Sequence, residues 1–233
     1  MRTTIQRNVQ TATGLTLLLV GGACASAQGT FQNLDFESAH NIPAFDPHAH
    51  PWYMSAADAL PGWSCYVGTN QTTFVAFNDL TLDAAGVSLI TNTSAYYPMP
   101  AGLLSGQYCV SLQYGAVSAG PLVYGPASIA QSGQVPSDAR SIQFRGTVPF
   151  TVTFGGNSIP LVVLSSQGDY SIYGGDISQF AGQTGELTFT SYSHFDFLDA
   201  IQFSTEAIPE PSSAFLFITG GILLGVRSLK CTG

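Results

Sequence analysis

The chain has 233 residues, of which 45% are hydrophobic and only 9% charged, against roughly a quarter charged in an average soluble protein. Between Gln28 and Ile208 thirteen acidic residues face two arginines, Arg140 and Arg145, a formal −11. No basic patch can neutralise phosphates, which excludes nucleic acid and an anionic lipid surface as partners of this part. The polar character comes from Ser, Thr, Gln, Asn and Gly, a mix that favours strands and turns over surface helices. Fifteen Phe and ten Tyr supply the apolar faces of a core.

The first stretch reads MRTTIQRNVQTATGLTLLLVGGACASAQ. Arg2 and Arg7 give a positive start, Leu15 to Val20 a short apolar run, and Ala25-Ser26-Ala27 a small-x-small cleavage site before Gln28. Residues 1–27 are therefore expected to be a signal peptide, handled by the secretion translocon and signal peptidase. A lipoprotein reading through Cys24 is the rival, but Gly21-Gly22-Ala23 lacks the usual Leu.

Residues 28–205 show short alternating runs separated by Gly, Pro, Asn and Ser. GQYCVSLQYG sets Tyr108, Val110, Leu112 and Tyr114 against Cys109, Ser111 and Gln113. ARSIQFRGT sets Ile142 and Phe144 against Gln143 and Arg145. FTVTFGG sets Phe150, Val152 and Phe154 against two threonines. GELTFTSY carries Leu187 and Phe189 the same way, and AIQFS carries Ile201 and Phe203. Period-two alternation means one face buried and one wet. About ten strands, no helical period and no internal repeat point to an all-β fold, a β-sandwich of the jelly-roll kind.

The tail has a different character. Ser212 to Val226 carries no charge, and Arg227 and Lys230 follow at once. Fifteen helical residues span about 22 Å, short for a bilayer core of about 30 Å. The positive charges would keep the C-terminus inside and the domain outside. Residues 212–230 are thus expected to form a single short transmembrane helix with a basic stop. Residues 206–211 form an extended linker around Pro209, Glu210 and Pro211.

Pro209-Glu210-Pro211, the short apolar segment and the basic pair Arg227 and Lys230 resemble the PEP-CTERM sorting signal of bacterial envelope proteins. That resemblance implies membrane anchoring through the C-terminal helix, processing near the motif by an exosortase-like membrane protease, and delivery to the cell surface or extracellular matrix. The basic tail is thinner than usual, two charges before Cys231-Thr232-Gly233. A plain single-span anchor is the rival reading. Within the domain, Asn33, Phe36 and Glu37 of FQNLDFESA, Pro61-Gly62-Trp63, and Asp199, Ile201 and Phe203 of FLDAIQFS resemble the galactose-binding-like jelly rolls. In that superfamily the first and last strands often lie side by side and a structural calcium can bind near them. One Ca2+ held by Asp35, Glu37, Asp196 and Asp199 would suit this pattern; solvated acids at strand ends are the alternative.

Other candidates are weaker. Asp169 and Asp176 flank YSIYGG as a second pair of acids. His48 and His50 would point the same way on a strand, with Asp46 and His40 near, but the stretch reads as a Pro-rich loop. Cys65 and Cys109 are the two cysteines of the domain. A disulfide between them would contribute roughly 4 kcal/mol; two reduced, buried thiols are the alternative. Trp52, Tyr53, Trp63, Tyr96, Tyr97, Tyr170 and Tyr173 fall near loops, where rings beside amides can stack on sugars, or simply pack. No Gly-x-Ser-x-Gly, His-Glu-x-x-His or Gly-x-x-x-x-Gly-Lys pattern occurs. His194 beside Asp196 lacks a placed Ser.

These readings converge on an exported, non-enzymatic envelope protein with a structural or adhesive jelly roll in an exopolysaccharide-rich matrix. A carbohydrate-binding module is the first alternative and a glycan-active hydrolase the second.

Overall fold

Alternation forms the strands, and burial of every second side chain holds them. In a computed structural model of the chain, residues 29–44, 53–79, 81, 83–92, 100–117 and 123–208 are described. The signal-cleavage residues Ala25, Ala27 and Gln28 lie outside them, as do Pro209, Glu210, Pro211, Arg227 and Lys230 of the sorting motif. So do Asp46, His48, His50, Trp52, Tyr96 and Tyr97. Among the described residues no helix is long and apolar enough to cross a membrane.

The described residues form sixteen strands, numbered in chain order, in a β-sandwich. One sheet has eight strands in the order β1 (Tyr53–Ser55), β4 (Phe74–Phe77), β5 (Gly86–Thr91), β6 (Tyr108–Gln113), β16 (Asp196–Ser204), β10 (Ser141–Gly146), β14 (Ser171–Asp176), β13 (Leu161–Ser166). The other has six in the order β12 (Asn157–Ile159), β11 (Thr151–Phe154), β15 (Thr184–Ser191), β9 (Ala127–Gln134), β2 (Ser64–Val67), β3 (Asn70–Thr72). A two-stranded ribbon, β7 (Gly115–Ala116) with β8 (Tyr124–Gly125), stands apart. Pairing is antiparallel except between β4 and β5. Among the described residues helix is confined to one turn, α1 (Ala56–Ala59), and a 3-10 turn, Ser178–Phe180.

The core between the sheets is aromatic. Phe189, fully buried, meets Phe144 at 5.2 Å, Trp63 at 6.3 Å and Phe150 at 6.4 Å, all edge to face. Such pairs add about 0.5–1.5 kcal/mol each beyond the area they bury. Val152, Phe154, Ile142, Leu187, Ile201 and Phe203 all point into this core, as their alternation requires. The two ends of the domain do meet. The amide of Ile201 donates to the carbonyl of Leu34 at 3.0 Å, and the rings of Phe31 and Phe203 lie 5.4 Å apart.

Asn33, Phe36, Gly62 and Trp63 build that junction. Asn33 and Phe36 both take positive φ, 51° and 60°. The Asn33 side chain donates to the Pro61 carbonyl at 3.2 Å and accepts from the Ser38 amide at 2.9 Å. The Trp63 indole donates to the Asn33 carbonyl at 3.0 Å and packs on Phe36. Gly62, at φ 87°, lets the chain turn into Trp63. These residues brace the fold.

One expectation changes. β6 is buried on both faces, although its sequence predicts a wet one. The second face is covered by residues 100–107, which seal Ile90, Leu103, Cys109 and Phe197 into a separate small cluster. β6 carries no charge to resist this cover, so its polar Ser111 and Gln113 are buried with it.

Candidate functional site

The carboxylates expected to gather at the domain's ends are spent on backbone amides. Asp199, on the outer face of the eight-stranded sheet beside Arg145, is fully buried. Its Oδ2 accepts from the Ser105 amide and its Oδ1 from the Ala200 amide, both at 2.6 Å. Burial pushes its carboxyl up to about 6, against the opposing pull of those amides and of Arg145. Glu37 Oε1 accepts from the amides of Gln107 and Tyr108 at 2.8 and 2.9 Å. Arg145 Nη1 donates to the carbonyls of Gly102 and Leu103 at 3.1 and 3.3 Å. Together these three side chains pin residues 100–107 across the sheet. Gly106 leaves room for this carboxylate, since a Cβ there would push against Glu37 Oε1 and displace it.

Asp196 lies on the opposite, inner face, opposite Leu112 in the ladder. It accepts a hydrogen bond from the Ser191 hydroxyl, and its Oδ1 is buried without a hydrogen-bond partner among the described residues. Burial raises its carboxyl as well. Asp35 makes only a local contact, accepting from the Glu37 amide at 3.4 Å. The expected calcium set of Asp35, Glu37, Asp196 and Asp199 therefore does not converge: Asp196 and Asp199 face opposite sides of β16. Among the described residues no three of His, Cys, Asp and Glu could share a metal. The Ser178 hydroxyl, and its amide at 2.8 Å, hold the Asp176 carboxyl below the usual range. His40 pairs with Asp58 at 3.0 Å.

The disulfide expectation is also corrected. Cys65 and Cys109 are both free and buried. Cys65 sits in the main core from the six-stranded sheet, Cys109 in the small cluster beyond the eight-stranded one. A whole sheet separates them. Burial pushes the Cys65 thiol up to about 12, and burial with the nearby Asp199 and Glu37 charges raises Cys109 too. Neither is a nucleophile.

Two open surfaces remain. At one end of the sandwich, exposed rings collect where β6 leads into β7 and where β15 leads into β16. Tyr114 and Tyr124 stack with centroids 6.2 Å apart and 19° between planes. The Tyr114 amide donates to the Ser193 carbonyl at 2.9 Å, which brings the Tyr192 to Phe195 turn alongside. Tyr124 is 53% exposed, Tyr192 65% and Phe195 38%. Of the rings singled out from sequence, Trp63 and Tyr173 are core and Tyr170 packs on the small cluster, while Tyr53 is exposed on an edge strand. The Tyr114–Tyr124 pair could have been suspected only from the two short Gly-flanked tyrosine runs.

The second surface is the outer face of the six-stranded sheet. Register places Thr151, Thr190, Ser128, Tyr66 and Gln71 in one row across five strands. Ser158, Thr153, Thr188, Ala130 and Ser64 form the next. These are the outward alternates of the core residues Val152, Leu187, Phe189, Ile129 and Cys65. Rows of this kind stand about 7 Å apart along a strand and about 4.8 Å between strands. Glu186 is the single charge in the six strands.

No protein-family model matches this chain, and no curated protein does. Among solved structures, it is similar to a Stig cyclase, Fisc, from Fischerella sp. TAU, in complex with (3Z)-3-(1-methyl-2-pyrrolidinylidene)-3H-indole. Identity there is 14%, the TM-score 0.44, and the match covers 77% of this chain and 97% of that one. It is also similar to a family 11 carbohydrate-binding module from Clostridium thermocellum in complex with a beta-1,3-1,4-mixed-linked tetrasaccharide. That likeness has 13% identity and a TM-score of 0.31, over 68% of this chain and 96% of that one.

Proposed function

We propose that the protein is an exported, non-catalytic carbohydrate-binding domain of the cell envelope, with a jelly-roll sandwich delivered by its two terminal segments. The observation that carries the binding reading is the stacked pair Tyr114–Tyr124 at one end of the sandwich, with the turn that carries the exposed Tyr192 and Phe195 tied beside it by the Tyr114–Ser193 hydrogen bond. Exposed aromatic faces stack on the C–H faces of sugars, and the neighbouring Ser193 and His194 supply polar partners. A binding role, not a catalytic one, is favoured by how the acids are used: Asp199 and Glu37 hold backbone, and Asp196 is buried between the sheets. No pair of them is left free for acid–base work on a glycosidic bond.

The test is affinity electrophoresis through gels containing soluble polysaccharides. The wild-type domain is expected to be retarded, and Tyr124→Ala with Tyr192→Ala to lose at least tenfold in apparent affinity. Unretarded wild-type protein across neutral and acidic polysaccharides would overturn the reading.

The delivery part rests on sequence: Arg2, Arg7 and Ala25-Ser26-Ala27 at one end, and Pro209-Glu210-Pro211 with Arg227 and Lys230 at the other. An exosortase-like protease would act near the motif. Changing Pro209, Glu210 and Pro211 to Ala is expected to leave full-length, membrane-bound protein. Normal release of that variant, judged by intact mass, would refute the sorting reading.

A further inference from the structure

Resting on the carbohydrate-binding reading, we propose that the outer face of the six-stranded sheet is a docking plane for an uncharged polysaccharide chain. The ring cluster grips one part of the glycan; this plane would take its length.

Three observations carry the proposal. The hydroxyls of Thr151, Thr153, Thr188, Thr190, Ser128 and Tyr66 make no hydrogen bond within the described protein. Elsewhere the hydroxyls of Thr72, Thr81, Ser141 and Ser191 are each used to hold backbone or a carboxylate. A hydroxyl is both donor and acceptor, so a plane of free ones offers both roles at regular spacing to another hydroxyl-rich chain. Water fills those roles when nothing else does, and a polysaccharide replaces water with groups of the same kind.

Shape supports the same partner. Ser128 and Ala130, the short side chains of β9, are nearly covered although they lie on the outer face. The threonines of β15 stand on one side of them and Tyr66 on the other. The face therefore dips along the first half of β9, over Ser128 and Ala130, a shallow trough about 14 Å long, and rises again at the exposed Ser132 and Gln134. Tyr66 is the wall against which a sugar face can stack.

Charge decides the class of glycan. The domain carries −11 between Gln28 and Ile208, and the strands of this face carry Glu186 alone. An acidic polysaccharide would meet repulsion with no cation to offset it, whereas a neutral one meets none.

The experiment compares four proteins by affinity electrophoresis in neutral galactomannan, xyloglucan and dextran, and in acidic alginate. They are the wild type, Thr153→Val with Thr188→Val, Thr188→Glu, and the ring-cluster variant Tyr124→Ala with Tyr192→Ala. Threonine and valine are close in shape and both suit strands, and a thermal melt at the wild-type temperature confirms folding. The expected result is retardation of wild type by at least one neutral polysaccharide and not by alginate, with a five- to twentyfold loss in both plane variants. If the ring variant loses binding while the plane variants keep it, the plane proposal fails and the carbohydrate-binding reading stands. If wild type is retarded by nothing, both fail. If the wild type is dimeric by light scattering and Thr188→Glu is monomeric, the plane is a self-association face, and the proposal is overturned.

Discussion

The two sheets of this sandwich treat their outer faces in opposite ways. The eight-stranded sheet is covered over β5, β6 and the start of β16: Glu37, Asp199 and Arg145 reach out to hold residues 100–107, and a second small core forms beneath. The six-stranded sheet is open, and its row of threonines and serines holds nothing within the described protein. The difference lies in the chemistry of the side chains. A carboxylate or a guanidinium bonds backbone strongly enough to fix a loop, at the cost of desolvation when it is buried. A hydroxyl does both more weakly. In a chain with 9% charged residues, the few charges mark where the protein grips itself, and the uncharged polar plane marks what it leaves to the outside.

The largest effect should come from the buried charge that grips. The Asp199 carboxyl is raised from 3.8 to about 6 in the folded protein, so the folded state binds a proton more tightly than the unfolded chain. Its contribution to stability is fully present below about pH 4 and is lost as pH rises through 6. A shift of this size corresponds to a loss on the order of 3 kcal/mol, and Asp196 is raised in the same direction. Urea unfolding midpoints should therefore fall between pH 4 and pH 6.5, and the slope should be reduced in Asp199→Asn. A flat or rising profile in the wild type would mean that the amides of Ser105 and Ala200 outweigh burial.

Glu37→Ala breaks the grip from the other side. Two amide hydrogen bonds to a half-buried carboxylate are lost, for an expected destabilisation of about 1–2 kcal/mol. Stability alone would not separate a loosened cover from general damage. The two free cysteines do, because Cys109 lies under the cover and Cys65 in the main core. Labelling with a dithiodipyridine reagent should speed up at Cys109 by tenfold or more and leave Cys65 unchanged. Equal acceleration at both would show that residues 100–107 do not act as a separate cover.

Half of this contrast was legible in the sequence. Strands β10, β11, β15 and β16 follow their alternation because each has one face on the core and one outside, so Ile142, Phe144, Leu187, Phe189, Ile201 and Phe203 are where period two puts them. The same rule turns Thr151, Thr153, Thr188 and Thr190 outward. What alternation cannot say is whether an outward face stays outward. On β6, Cys109, Ser111 and Gln113 obey the same pattern and are buried all the same, under a segment some residues earlier in the chain. The calcium expectation failed for a related reason. The ends of the domain do meet, but Asp196 and Asp199 stand three residues apart on β16, an odd spacing that alternation itself turns to opposite faces; the bulge at Ala200, with φ 52° and a register shift opposite Gln143 and Arg145, comes after both. The cysteine pair was decided by face: Cys65 points into the main core and Cys109 away from it, so the two thiols of the alternative reading stay reduced.

The smallest effect is the most direct test of the contrast, because it uses one chemical group in two settings. Ser111 carries a hydroxyl on the covered face, buried and without a hydrogen-bond partner among the described residues. Thr188 carries one on the open face. Removing the first relieves a desolvated, unpaired group, so Ser111→Ala should be neutral or stabilising by up to about 1 kcal/mol. Removing the second, as Thr188→Val, takes away a hydroxyl that water already satisfies and should change stability by less than about 0.5 kcal/mol. Binding should respond the other way: Ser111→Ala leaves retardation by neutral polysaccharide unchanged, and Thr188→Val weakens it. A destabilised Ser111→Ala would mean that its hydroxyl has a partner beyond the described residues, so that the cover on this face extends past residues 100–107.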